Sequence, residues 1–307
     1  MTEPRSYTIE EIASLLKVSK LTVYDLVKKG KLPAFRVGRQ MRVTADDLER
    51  YIAGQKGEVA ATPPAVLRPT ETALRPVIIS GQDVALDLLG AHLDKSGRYR
   101  SLRTYTSSLN GLIALYKGQG DIVSVHLFDG ETGEYNRPYV EKLLTGHAYI
   151  MVNVMRRLIG FYVQRGNPRG IQTWSDLGRN DVTIVNREKG AGARVLLDEQ
   201  LRRHGLSPSA VHGYEREETS HVSVASAVAA GLADVGIGTE KVAQMGGVEF
   251  IPLVNEQYDV VMLRTAENEP LIAAVLNVLR SDSFRTELEA LGGYDVSQTG
   301  RIIAERS

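Results

Sequence analysis

The sequence predicts an α/β protein in two parts: a small winged helix-turn-helix head, then a larger body of two similar α/β lobes. Three observations point there. Residues 1–54 place two short helical stripes ahead of a basic hairpin. From residue 74 onward, apolar runs alternate with helical patterns, as parallel sheet with crossover helices requires. One unit of that alternation occurs twice.

In the head, Thr8 and Glu11 form a capping box, and Ile9, Ile12, Ala13 and Leu16 share one helical face. After a tight turn, Ser19 caps a second helix whose buried stripe is Val23, Leu26 and Val27. Its opposite face shows Lys20, Thr22, Tyr24 and Lys28. Pro33 ends the helical region, and two extended segments follow around Val37-Gly38-Arg39, with arginines at 36, 39 and 42. Thr44 and Asp47 open a third helix to about Ala53. Such a second helix suits the major groove of a duplex, and a basic wing suits its backbone or minor groove.

Charge agrees. The 307-residue chain has a formal net charge of +0, yet residues 1–56 hold 11 Lys/Arg against 7 Asp/Glu, or +4, leaving −4 for the rest. A basic head on an acidic body fits contact with a polyanion. The stretch YTIEEIASLLKVSKLTVYDLVKKGKLPAFRVGRQMRVTADDLERYI resembles the excisionase-family or MerR-like DNA-binding domain. The resemblance implies double-stranded operator DNA as a partner. Ser19, Lys20, Thr22 and Tyr24 would face it, with Arg36, Arg39 and Arg42 on phosphates or in the minor groove. A homodimer is expected, since winged helices commonly bind repeated half-sites. The alternative is a helical protein-interaction module with solvated basic residues.

Residues 55–73, rich in Ala, Thr, Pro and Gly, read as a linker, and 74–307 as the body. Its strands are expected at PVIIS, LRTYT, DIVSVHL, VTIVN, AVHGYE, DVGIG and VEFIPL. Helices are expected over Val84–Leu93 and Ser108–Tyr116, and from Ala193 and Ser220. The stretch AYIMVNVMRRLIGFYVQRGNPRGIQTWSDL reads as two strand-like segments running into a Gly-Asn-Pro turn and a Trp-Ser-Asp-Leu helix start, and EQYDVVMLR as a returning strand before helices between Pro270 and Leu291. The repeated unit superposes Ser107 on Ser220, Gly118 on Gly231 and Asp121 on Asp234: a hydroxyl cap, a helix ended by Gly, an Asp, then a strand. Used twice, it predicts lobe I at about 74–164 and 261–307 and lobe II at about 165–260, with a cleft between strand ends. Two ordinary βαβ units within one sheet are the alternative.

The body resembles the type 2 periplasmic-binding-protein fold, and within it the molybdate- and tungstate-related domain of cytoplasmic regulators. The stretches that carry this are GQGDIVSVHLFDGETGEYN, RGNPRGIQTWSDL, VNREKGAGARVLLDEQL and YEREETSHVSVASAVAAGLADVGIG. The resemblance implies a one-component transcriptional regulator that senses a small anion, with molybdate or tungstate as candidates. Relatives carry a Gly-Ser-Gly-Thr-Arg pattern where this chain has Gly190-Ala191-Gly192-Ala193-Arg194, so two hydroxyl donors are missing. A small organic acid or sulfonate is the alternative ligand. An enzyme or cofactor-handling protein of molybdopterin metabolism is the alternative function.

An anion between two lobes needs converging donors from hydroxyls, helix-start amides and an arginine. Lobe I offers Ser80 with Gly81, Ser107 with Ser108, and His126; lobe II offers Arg187, Gly192, Ala193 and Arg194, then Thr219, Ser220 and His221. Each has a structural alternative. Ser107 and Ser220 can be plain helix caps, His126 a hydrogen-bonded structural residue, and Arg194 the partner of Asp198 at i+4. Tyr135 and Asn136 line the cleft or close a loop.

Catalysis, metal and cofactor are not expected. There is no cysteine, which excludes disulfides, thiolate metal sites and cysteine nucleophiles. GAGAR lacks the Lys-Ser/Thr of a phosphate-binding P-loop, no serine-elbow or HExxH pattern is present, and the six histidines do not fall at metal-ligand spacings. The amino-terminal residues do not read as a signal peptide, and no apolar run nears the roughly 18 residues a membrane span needs. A cytoplasmic location without membrane contact is expected.

Overall fold

The computed structural model describes residues 6–16, 18–28, 32–37, 40–55 and 74–307. The chain divides into two units, Met1–Thr70 and Glu71–Ser307. Among the described residues no helix is long and apolar enough to cross a membrane.

In the first unit, β1 (Ser6–Thr8) leads into α1 (Ile9–Leu16), α2 (Lys20–Lys28), β2 (Phe35–Val37), β3 (Gln40–Thr44) and α3 (Ala45–Gln55). The capping box forms as expected: Thr8 N donates to Glu11 Oε2 at 2.7 Å, and Glu11 N to Thr8 Oγ1 at 3.3 Å. Ser19 Oγ accepts from Thr22 N at 3.1 Å and so caps α2, and Thr44 Oγ1 accepts from Asp47 N at 3.2 Å at the start of α3. Ile9, Ile12, Val23, Leu32 and Val43 meet in one small core. The basic hairpin gains a third, unforeseen strand, giving the order β1-β3-β2. Arg39 and residues 56–73 lie outside the described residues, as does the side chain of Arg36.

The second unit is built on one nine-stranded sheet. Its first half runs β4 (Arg75–Ser80), α4 (Ala85–Asp94), β5 (Tyr99–Thr104), α5 (Ser108–Tyr116), β6 (Ile122–Val125) and α6 (Arg137–Leu143). The long strand β7 (Tyr149–Val163) follows. The second half repeats the plan with β8 (Ile184–Arg187), α7 (Gly192–Arg203), β9 (Glu217–Glu218), α8 (His221–Ala229), β10 (Val235–Thr239) and α9 (Glu240–Gly246). A second long strand, β11 (Glu249–Leu263), then leads to α10 (Glu269–Arg280), α11 (Asp282–Ala290) and β12 (Ile302–Arg306). The strand order, β5-β4-β6-β11-β7-β10-β8-β9 with β12 beside β7, is two copies of one half joined along β11 and β7.

The sequence repeat has a physical basis. Asp121 Oδ2 accepts from Ile78 N and Asp234 Oδ2 from Thr183 N, each at 2.8 Å. Each aspartate, just ahead of its own strand, thereby ties that strand's start to the neighbouring parallel one. Gly118 and Gly231 sit at φ +69 and +72, the left-handed turn that ends a helix cheaply only as glycine.

Three expectations change. The two segments at 148–163 are one strand, as are VEFIPL and EQYDVVMLR, and β7 and β11 pair along their length with register shifts at Pro252/Val254 and Tyr258/Asp259. Both lobes are therefore crossed by the same two strands. AVHGYE supplies only a single bridge, Thr183 with His212. Gly213 there sits at φ +83, where an added Cβ would lie 2.2 Å from Ile184 O, so the chain turns instead of extending. Finally, α6, β9, α9 and β12 were not anticipated.

Candidate functional site

The carboxyl ends of the parallel strands in both halves open onto one cavity of about 520 Å3. That is where open α/β sheets bind ligands. From lobe I come Ser107 and Ser108 at the start of α5 and His126 just past β6. From lobe II come Arg187 at the end of β8, Gly192 at the start of α7, and Thr219, Ser220 and His221 at the start of α8.

The expected set does not converge whole. Ser80 is buried behind the cavity, and Gly81 packs so tightly that an added Cβ would lie 2.0 Å from Ser124 Oγ. Ala193 belongs to the lobe II core. Arg194 turns away: it donates to Asp198 Oδ1 at 3.1 Å and Glu217 Oε1 at 3.0 Å, and stacks on Tyr214 at 4.2 Å. Its i+4 pairing is the alternative that holds, because Glu217 on β9 adds a second carboxylate on the side away from the cavity. Tyr135 and Asn136 also lie elsewhere. Asn136 Nδ2 donates to buried Asp259 at 2.8 Å, behind the crossing strands.

The two matched serines part company. Ser220 is a true cap, its Oγ accepting from Ser223 N at 3.0 Å within a capping box. Ser107 occupies the cap position of α5 but makes no capping bond. Its Oγ, that of Ser108, Nδ1 of His221 and the Tyr258 hydroxyl are buried at this cavity without a hydrogen-bond partner. Each such group costs about 1–3 kcal/mol when left unpaired, and four of them lie around this one cavity.

The floor is a charge cluster on the crossing strands that the sequence reading missed. Arg157 of β7 donates through Nε to Glu256 Oε2 and through Nη1 to Asp83 Oδ2, both at 2.6 Å. His126 Nδ1 lies 3.0 Å from Glu256 Oε1, and its ring stacks on Tyr258 at 5.3 Å. Tyr294 donates to Asp83 Oδ1 at 3.0 Å. Burial pushes the Glu256 carboxyl up, but Arg157 and then His126 outweigh it and hold the group below the usual carboxylate range. His221 shows the opposite outcome for a base. Burial, then the positive charge of Arg187 and Arg157, hold its pKa well below 6.5, so its imidazole is neutral. The signal for this floor was a charge within an apolar strand, Arg157 in VNVMRRLIG and Glu256 in VNEQYDVV.

The lobes also touch across the cleft. Arg187 Nη2 donates to Gln82 Oε1 at 2.8 Å while the same guanidinium holds Glu188 and the Thr219 carbonyl. Leu109 N of α5 donates to Gly190 O at 3.2 Å. Gly192 is pressed against His126, where an added Cβ would lie 2.1 Å from Nδ1 and 2.5 Å from the carbonyl oxygen. Among the described residues, no group of three or more His, Asp or Glu is placed to hold a metal ion.

Comparison with known proteins gives the same two parts. Residues 90–280 match the PBP superfamily domain, and residues 6–56 a helix-turn-helix domain. The uncharacterized protein YvgK of Bacillus subtilis (strain 168) is 52% identical, the alignment covering 99% of this chain and 100% of that one. Among solved structures, a hydrogen-peroxide-bound OxyR mutant of Corynebacterium glutamicum superposes with TM-score 0.54 at 12% identity, covering 92% of this chain and 89% of that one. The tungstate ABC transporter from Geobacter sulfurreducens does so with TM-score 0.54 at 12% identity, covering 70% and 98%. At these identities the two structures speak to fold alone.

Proposed function

The chain belongs to the PBP superfamily, and from that premise we propose a one-component transcriptional regulator that binds duplex DNA through its winged helix-turn-helix and senses a small anion between its lobes. The observation that carries the reading is the union, in one chain, of a DNA-binding domain with a cleft holding four unpaired buried polar atoms. Residues 1–54 are the reader, 55–73 the linker and 74–307 the sensor, acting as a cytoplasmic homodimer on operator DNA. Ser19, Lys20, Thr22 and Tyr24 face the duplex, and Arg36, Arg39 and Arg42 serve the wing. Lys20 is free to trade partners, because its ion pair with Glu10, at 3.0 Å, is exposed on both sides and worth little. The cleft binds and does not catalyse. Molybdate or tungstate is the ligand the family resemblance brings, a small organic acid or sulfonate the other.

A ligand alters DNA binding only by favouring one lobe arrangement over the other. The bonds between Gln82 and Arg187, and between Leu109 and Gly190, are what such a preference acts on. The test is duplex binding by the full chain at rising salt. Affinity should fall steeply with salt, and Lys20→Ala should weaken it while leaving ligand binding intact. Absence of duplex binding at low salt refutes the proposal.

A further inference from the structure

We infer that the cleft takes an organic anion, a carboxylate or sulfonate with an apolar body of several carbons, its head at Ser107 and Ser108 and its body along an apolar rim formed by both lobes. The inference rests on the reading of the cleft as a sensor's ligand site and names the class of ligand.

Size comes first. The four oxygens of a tetrahedral oxyanion displace on the order of four waters, about 120 Å3. The cavity, at about 520 Å3, is several times larger and within the range of sites for organic ligands.

The donors set the charge of the head. Neither guanidinium at the cavity is free to match a dianion. Arg157 is held between Glu256 and Asp83, and Arg187 by Glu188, Gln82 and two backbone carbonyls. What remains unpaired is the hydroxyls of Ser107, Ser108 and Tyr258, with Nδ1 of the neutral His221 ring an acceptor because the ring already bonds the Ile237 backbone. Each helix start carries roughly half a positive charge, and Lys241, 4.7 Å over the Tyr294 ring at the same cavity, adds a cation, so the head is an anion. Ser107 and Ser108 are 7% and 3% exposed, so these donors are buried and aimed inward, not solvated.

The rim sets the body. Val84 and Tyr105 of lobe I are 43% and 68% exposed, and Val222 and Met245 of lobe II are 55% and 73% exposed, and all four line this cavity. A single exposed apolar side chain is ordinary, but two from each lobe around one mouth form a patch that awaits cover. An apolar body reaching from the head to this rim touches both lobes at once and so rewards their closure. A bare oxyanion leaves the rim in water.

The test titrates the full chain, by calorimetry and thermal shift, with molybdate, tungstate, phosphate and sulfate, and with straight-chain sulfonates and carboxylates from one to eight carbons. Affinity should rise about fourfold per added methylene over the first several carbons, the worth of one buried CH2. Met245→Ser and Val222→Ser, both at exposed positions, should lower affinity for hexanesulfonate or hexanoate several-fold and leave methanesulfonate unchanged. Ser107→Ala should weaken every member of the series alike. Tighter binding of an inorganic oxyanion than of any organic anion, or affinity indifferent to chain length, overturns the inference while the sensor reading stands. Silence of both series overturns both.

Discussion

Replacing Ser107 and Ser108 together by alanine should stabilise the ligand-free protein and abolish its response to ligand. The reasoning is local. An N-cap serine normally accepts a backbone hydrogen bond worth about 0.5–2 kcal/mol, but the Ser107 side chain makes none, so its removal forfeits no cap. Both hydroxyls are buried and unpaired, and relieving each recovers part of a penalty of about 1–3 kcal/mol. Alanine is also the better helix former at Ser108, by a few tenths of a kcal/mol. The vacated space borders an open cavity, so no closed void forms. A net gain of about 2 kcal/mol for the pair corresponds to roughly 4–8 °C in Tm for a unit of this size. Calorimetric melting of the full chain reads the stability, and titration with hexanesulfonate reads the binding. A variant that melts several degrees lower would show that the hydroxyls brace the fold, and unchanged binding would remove them from the site.

Gly192→Ala should separate α7 from His126, because the new methyl meets a backbone oxygen that cannot swing aside. Overpacking of this kind costs about 1–3 kcal/mol, and a urea curve superposable on wild type would refute it. Arg157→Met should cost about 3–5 kcal/mol by leaving Glu256 and Asp83 buried without their cation, read as a lower urea midpoint, and a loss under 1 kcal/mol would deny the cluster its role. His221 is held neutral in the fold, so below about pH 6.5 the unfolded chain binds the extra proton and stability falls as pH drops. Its contribution to the slope reaches about 1.4 kcal/mol per pH unit. His221→Gln should flatten the stability curve between pH 5 and 6.5, and an unchanged slope there would assign the titration elsewhere.

Local signals in the sequence were legible where they act through neighbours on the chain. Thr8 with Glu11, Ser19, and Thr44 with Asp47 form the caps their spacing implies. The paired Asp121 and Asp234 survive as a repeat because each performs the same bond in its own half. Long-range geometry was not legible. Nothing in 148–163 distinguishes one long strand from two short ones, since β11, a hundred residues away, supplies the pairing that keeps it straight. Arg194 looked like a ligand donor because a glycine loop precedes it, while Glu217 and Tyr214, which claim it, arrive from across the lobe. Arg157 and Glu256 went unnoticed for the converse reason. Each is a charge inside a largely apolar strand, and only the register of β7 on β11 sets them against each other.

The most direct measurement is fluorescence anisotropy of the full chain on a duplex selected from a randomised library, with and without hexanesulfonate at saturation. A sensor coupled to its DNA reader should show a dissociation constant that shifts at least fivefold on ligand addition, the lower end of ordinary allosteric coupling, and that weakens with salt in either state. An identical dissociation constant with and without a ligand shown by calorimetry to occupy the cleft would contradict the account.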